Sequence, residues 1–184
     1  VIEKDEVYHE VLHRVTTHPE SRSVFHSGRC LFYAFHTIEV LRERGVRAVV
    51  QAGSAGWPRI PPEQDDGKST THFSYMWSPD TPMSREAVSR GALPEIHVWA
   101  GLLESQEIID FTTRYWVEQA RTLGGFDWPG TPPPEFFWGH GRELNGAFYQ
   151  SNREATEYAV ATMAKVYGKE RVKRILSPLE TTKA

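Results

Sequence analysis

The chain has 184 residues, 39% of them hydrophobic, with 24 acidic against 21 basic side chains and a net charge of −3. That length supports one domain spanning 1–184 with a real core, and the charge balance argues against a general nucleic-acid binder or a protein drawn to anionic membranes. No apolar run approaches the roughly 20 residues that cross a bilayer, and a lone cysteine forms no internal disulfide, so a reducing cytoplasm is the expected compartment.

Residues 5–17 carry Val7, Tyr8, Val11, Leu12 and Val15 at helical spacing, with His9 and His13 on the polar side. His18-Pro19-Glu20-Ser21 breaks this helix. A second helix starts at Ser27-Gly28-Arg29-Cys30, with Ser27 as N-cap, an apolar stripe of Leu31, Ala34, Phe35, Ile38 and Leu41, and Gly45 as the stop. Cys30 falls in the first turn, where the positive end of the helix dipole and Arg29 favour thiolate over thiol.

Residues 46–53 read as a strand, with Val46, Ala48, Val50 and Ala52 on one face and Val49 and Gln51 on the other. The stretch 53–68, rich in glycine and proline, reads as a loop or an excursion off the sheet. Residues 71–77 make a second strand, and 78–91 a turn-rich connection with a helical turn at 85–90. Strands at 95–101 and 106–112 lie close enough in the chain to form a hairpin. Residues 114–123 suit a helix, and the loop 124–141 is too aromatic to stand away from the body. A strand at 147–150 leads to a helix capped by Ser151 with Glu154 and ended by Gly168, and a short helix with Val172, Ile175 and Leu176 closes the chain.

Alternation places His97 and Trp99 on one face of their strand. With Gly101 paired to Gln106, Trp99 falls opposite Ile108 and His97 opposite Asp110, their Cβ atoms roughly 5 Å apart. A carboxylate so placed holds one ring N–H and leaves the other nitrogen for a nucleophile. A slip of one residue would separate the two. The remaining histidines, including His26, His36, His72 and His140, show no metal-ligand spacing, and no cofactor or metal is expected.

Taken in order, Gly28-Arg29-Cys30, His97-Val98-Trp99 and Asp110-Phe111-Thr112 resemble the transglutaminase-like branch of the papain-like cysteine enzymes. The resemblance spans residues 27–113. It implies an α+β fold with a papain-like core, the nucleophile helix packed on an antiparallel sheet and helices flanking it at both ends of the chain. It also implies a triad of Cys30 as nucleophile, His97 as base and Asp110 as orienter. The expected chemistry is acyl transfer or hydrolysis of an amide or ester through a thioester, with peptidase or amidase action favoured over amine transfer. Substrates would be a peptide, a protein or a small amide or ester, with no nucleic-acid or membrane partner. The N–H of Cys30 is one oxyanion donor, and the second stays open among Gln51, Tyr75 and a tryptophan. Two alternatives stand beside this one: a catalytically silent protein-binding module of the same fold, and a metal hydrolase. Nothing in the residues indicates an oligomeric state.

Overall fold

Helix α1 (Lys4–Thr17) buries Val7, Tyr8, Val11 and Val15 and carries Asp5 and Glu6 in its first turn, where they complement the helix dipole. Helix α2 (Arg29–Glu43) departs from a one-faced amphipath, since every residue from Cys30 to Leu41 is buried. All-round burial is the mark of an internal helix. A computed structural model describes residues 2–17, 29–68, 70–78 and 80–178, so the Ser27 cap and Gly28 lie outside the described residues. At the far end of α2, Gly45 adopts φ 74°. The Val46 N–H then reaches back to the Leu41 carbonyl at 2.9 Å, a Schellman closure.

The strands are β1 (Ala48–Pro58), β2 (His72–Tyr75), β3 (His97–Leu102), β4 (Ile108–Asp110), β5 (Phe137–Gly139) and β6 (Phe148–Ser151). Among the described residues they form a six-stranded sheet in the order β2-β1-β3-β4-β5, with β6 also paired to β1. Among the described residues these strands pair with one another antiparallel, and an isolated parallel bridge joins Tyr75 to Leu93. Helices α3 (Pro82–Ser89), α4 (Trp116–Gly124), α5 (Arg153–Tyr167) and α6 (Lys169–Leu176) complete a mixed α/β architecture with helices flanking the sheet. Alternation along the strands divides the core. Val50, Ala52, Val98, Ala100 and Ile109 pack with the residues of α1, α2, α5 and α6. Trp57, Phe73, Tyr75 and Phe137 form a second cluster with Trp116 and Ala120 of α4.

Four sequence expectations need correction. The strand expected to end at Gly53 runs on to Pro58, so 53–58 is sheet and not loop. Gly53 and Gly56 are sites of close approach: a Cβ at Gly53 would stand 2.0 Å from the Gln150 carbonyl oxygen, and one at Gly56 would stand 2.4 Å from the Phe148 ring. The aromatic stretch 124–141 contains β5, whose Phe137 and Trp138 each belong to one of the two clusters. The N-cap of α5 is Asn152, whose side chain accepts from the Ala155 N–H, because Ser151 is spent as the last residue of β6.

The fourth concerns the hairpin. The structure pairs Gly101 with Ile108 and Ala100 with Ile109, in place of Gly101 with Gln106 and Trp99 with Ile108. Gly101 stays in the ladder, and the Gln51 side chain lies over it, 3.0 Å from where a Cβ would be. Gln106 instead turns the chain with φ 59°, and the Leu102 N–H bonds the Glu107 carbonyl at 2.9 Å. Opposite any β3 residue, β4 is thus shifted by two positions, and an even shift keeps each side chain on its face.

Candidate active site

His97 is the first residue of β3, and Cys30 the second residue of α2. The two meet where the strand begins, with a hydrogen bond between their side chains. Continuing the observed register sets Asp110 across from Trp99, so His97 reaches the carboxylate diagonally: Nε2 bonds Oδ2 at 2.7 Å. With Nε2 committed to Asp110, Nδ1 is the ring nitrogen left for the sulfur. The structure thus brings Cys30, His97 and Asp110 into one chain of contacts. They are 8%, 2% and 2% exposed.

A buried carboxylate stays ionised only when its lone pairs are satisfied. Asp110 Oδ1 accepts from the Thr112 N–H at 2.8 Å and from its hydroxyl at 2.5 Å. Oδ2 accepts from Tyr149 Oη at 2.7 Å as well as from His97. Burial pushes the Asp110 carboxyl up, but His97 and these donors outweigh it and hold the group below its ordinary range. For His97, burial opposes the imidazolium. The charge of Asp110, its hydrogen bond and the sulfur of Cys30 more than reverse this and push the histidine up to about 10.

Aromatic rings enclose the imidazole. Tyr75 stacks on it at 5.4 Å between centroids, Trp116 meets it edge-on at 5.1 Å, and Trp99 lies beside it at 6.1 Å. The Tyr75 hydroxyl donates to Gln119 Oε1 at 2.6 Å, which occupies its proton. Gln51 Oε1 accepts from the Trp99 indole at 2.7 Å. Of the candidates for the second oxyanion donor, Tyr75 thus spends its proton on Gln119 and the Trp99 indole spends its own on Gln51, whereas the Gln51 amide N–H groups are not used by that bond. At the helix start, the Arg29 guanidinium lies over the Tyr115 ring at 5.4 Å, and the Tyr115 and Tyr33 hydroxyls are 2.9 Å apart.

The other histidines have different work. His72 bonds the Thr71 hydroxyl at 3.0 Å and the Gly146 carbonyl at 2.8 Å. His36 bonds Glu39 at 3.0 Å inside the helix layer. Among the described residues, no group of three or more His, Cys, Asp or Glu side chains gathers to hold a metal ion. A cavity of about 140 Å³ lies between Ile38, Arg42 and Leu176, at the end of α2 away from Cys30, and plays no part in this site.

The sequence gives no sign of Tyr149 as a site residue. Its position on β6 was legible, yet its contact with Asp110 follows only from β6 pairing beside Gly53 and Ala55. Thr112, in contrast, sits two residues from Asp110, the ordinary spacing for a local side-chain to backbone bond.

No family model matches the chain, and no curated protein matches it. It is similar to a solved structure described as "The crystal structure of genomics APC5867", over 95% of this chain and 77% of that one, with a TM-score of 0.51 and 14% sequence identity. At that identity the likeness speaks to the fold alone.

Proposed function

We propose that the protein is a cysteine-dependent acyl hydrolase with a papain-like, transglutaminase-like core, acting on an amide or ester. The observation that carries this is the continuous link from Cys30 through His97 to a fully bonded Asp110. The three short motifs at Cys30, His97 and Asp110 support it further.

In this scheme the Cys30 thiol gives its proton to His97 Nδ1, and the sulfur attacks the carbonyl carbon. The N–H of Cys30, in the first turn of α2, supports the oxyanion with the helix dipole behind it. As the tetrahedral species collapses, the bond to the leaving group breaks and His97 protonates the departing amine or alcohol. Water then attacks the thioester, giving one proton to His97. The carboxylic acid leaves and the thiol is restored. Asp110 stays ionised throughout and holds the imidazole in place.

Water rather than an amine is the final acceptor. The flanking loops offer no acidic pocket for a cationic amine: Asp65 and Asp66 are exposed and turn back on the Gly67 and Lys68 N–H groups at 2.9 Å. The test is an activated acyl donor supplied with and without a primary amine. Free acid should dominate and Cys30→Ala should abolish it. Acyl-amine as the main product at modest amine concentration would make the protein a transferase.

A second reading, a protein-binding module without turnover, draws on the burial of both the sulfur and the imidazole. It predicts no Cys30-dependent product with any donor. No helix among the described residues is long and apolar enough to cross a membrane. A peptide, a protein or a small amide or ester is the substrate class in keeping with the hydrolase reading.

A further inference from the structure

The carboxylate of Asp110 is held by more than the histidine it serves. Tyr149 comes from β6, 39 residues further along the chain, and its hydroxyl lies 2.7 Å from Oδ2, the same oxygen that accepts His97 Nε2. Behind it, the Trp57 indole N–H donates to Tyr149 Oη at 3.1 Å. An indole N–H is a donor only, and a phenol has a single proton. Tyr149 therefore accepts from Trp57 and spends its own proton on Asp110. The direction of the whole chain is settled by chemistry: Trp57 to Tyr149 to Asp110, with His97 donating into the same carboxylate.

We propose that Tyr149 is a positioning residue of this site, fixing the Asp110 carboxylate and sharing the oxygen that carries His97, so that the proton affinity of the imidazole is tuned from β6. This rests on the hydrolase reading above. Thr112 already satisfies Oδ1 from the local chain. Without Tyr149, Oδ2 would face His97 alone and its charge would bear wholly on the imidazole. With Tyr149 present, part of that charge is drawn into a second bond, and the imidazolium is held less tightly than by an unshared carboxylate. The Tyr149 ring packs against Trp99 at 5.2 Å and Trp57 at 6.5 Å between centroids, so the hydroxyl is delivered by a braced side chain. Burial, then the neighbouring carboxylate, holds the phenol well above its ordinary value, and it remains a donor.

The titratable groups around His97 are Cys30 from α2, Tyr75 from β2, Asp110 from β4 and Tyr149 from β6, whose ring lies 6.0 Å from the imidazole between centroids, and Tyr75 also feels Glu95. Those around Asp110 are His97, Tyr149 and, through its charge alone, Tyr75. Replacing Cys30 by alanine removes the contribution of the sulfur and isolates the carboxylate's hold on the imidazole.

The experiment compares Cys30→Ala with Cys30→Ala/Tyr149→Phe by following the His97 ring nitrogens in NMR against pH. The expected result is a rise in the His97 midpoint of up to about one pH unit, a tenfold gain in proton affinity. Because Tyr149→Phe leaves the Trp57 indole without an acceptor, the same measurement is made with Trp57→Phe added, and the rise should persist. In the protein with Cys30 intact, Tyr149→Phe should move the pH profile of acylation the same way. A loss of melting temperature with an unmoved His97 midpoint would overturn the proposal and leave Tyr149 a packing residue. The two readings fail separately. If the parent forms no Cys30-dependent product, hydrolysis falls whatever Tyr149 does. If it does form product while Tyr149→Phe leaves titration and profile in place, only the positioning role falls.

Discussion

Asp110 gathers four donors onto one buried carboxylate: His97 Nε2, Tyr149 Oη, and the N–H and hydroxyl of Thr112. That load explains how a residue 2% exposed keeps its charge. The consequence for His97 has a definite sign. Burial alone would lower the histidine, and Asp110 is the main reason that it lies at about 10. Asp110→Asn should therefore drop the His97 midpoint below the ordinary imidazole value of about 6.5 and slow acylation by about 10²–10⁴-fold. NMR of ¹⁵N-labelled histidine checks the first expectation and donor kinetics the second. A midpoint still near 10 would place the source of the shift elsewhere. At this scale much was readable from short spacings. Cys30 at a helix start and His97 alternating with Trp99 follow from local pattern, and Asp110 kept its face because the hairpin moved by an even number of residues. Tyr149 was not readable, since its contact depends on how β6 docks.

The central strand β1 shows how glycine is misread at the scale of elements. Gly53 and Gly56 look like punctuation, yet each lies within the ladder where β6 leaves no room for a side chain. Their backbone is extended, so the constraint is space and not a left-handed turn. Gly53→Ala would drive a Cβ onto the Gln150 carbonyl, a backbone atom that cannot swing aside. The expected cost is about 1–3 kcal/mol, read as a lower denaturation midpoint. A second consequence follows from the pairing of Gly53 with both His97 and Ser151: displacing β6 withdraws Tyr149 from Asp110, and acylation should fall with stability. Full stability in Gly53→Ala would show that β6 relaxes freely. A parallel lesson holds at α5, where Ser151 and Asn152 are both good caps and only strand pairing decides between them.

Across the whole molecule, a charge cluster outside the site contributes to stability beside the site's own His97 and Asp110. Glu39 on α2 ties the helix layer together through Arg171 of α6 at 2.6 Å, Arg14 of α1 at 3.3 Å and His36 at 3.0 Å. Burial raises this carboxyl, but the bonds to His36 and Arg171 outweigh it and bring it to about 2. A depressed carboxylate stabilises the fold above its ordinary value and loses that contribution as pH falls through the folded one. Stability should decline from about pH 4.5 towards pH 2, and Glu39→Gln should flatten that limb while costing about 3–5 kcal/mol near neutrality. An unchanged acid limb in urea melts would contradict this. His97 carries the opposite sign. Its raised value contributes fully below the ordinary imidazole range, and the contribution is lost as pH rises through about 10. The alkaline limb therefore reports on the site, whereas the acid limb carries Asp110 as well as Glu39, and Glu39→Gln isolates the share of the helix layer. In the proposed scheme Cys30, activated by His97 and Asp110, forms a covalent acyl-enzyme. Intact-mass spectrometry of the protein quenched after mixing with an activated acetyl ester tests it most directly. A single acetyl adduct should appear, map to Cys30 by peptide analysis, decay with release of acetate, and be absent from Cys30→Ala and strongly slowed in His97→Ala. An adduct on any other residue would rule out Cys30 as the nucleophile, and equal labelling of Cys30 with and without His97 would rule out its activation by the imidazole.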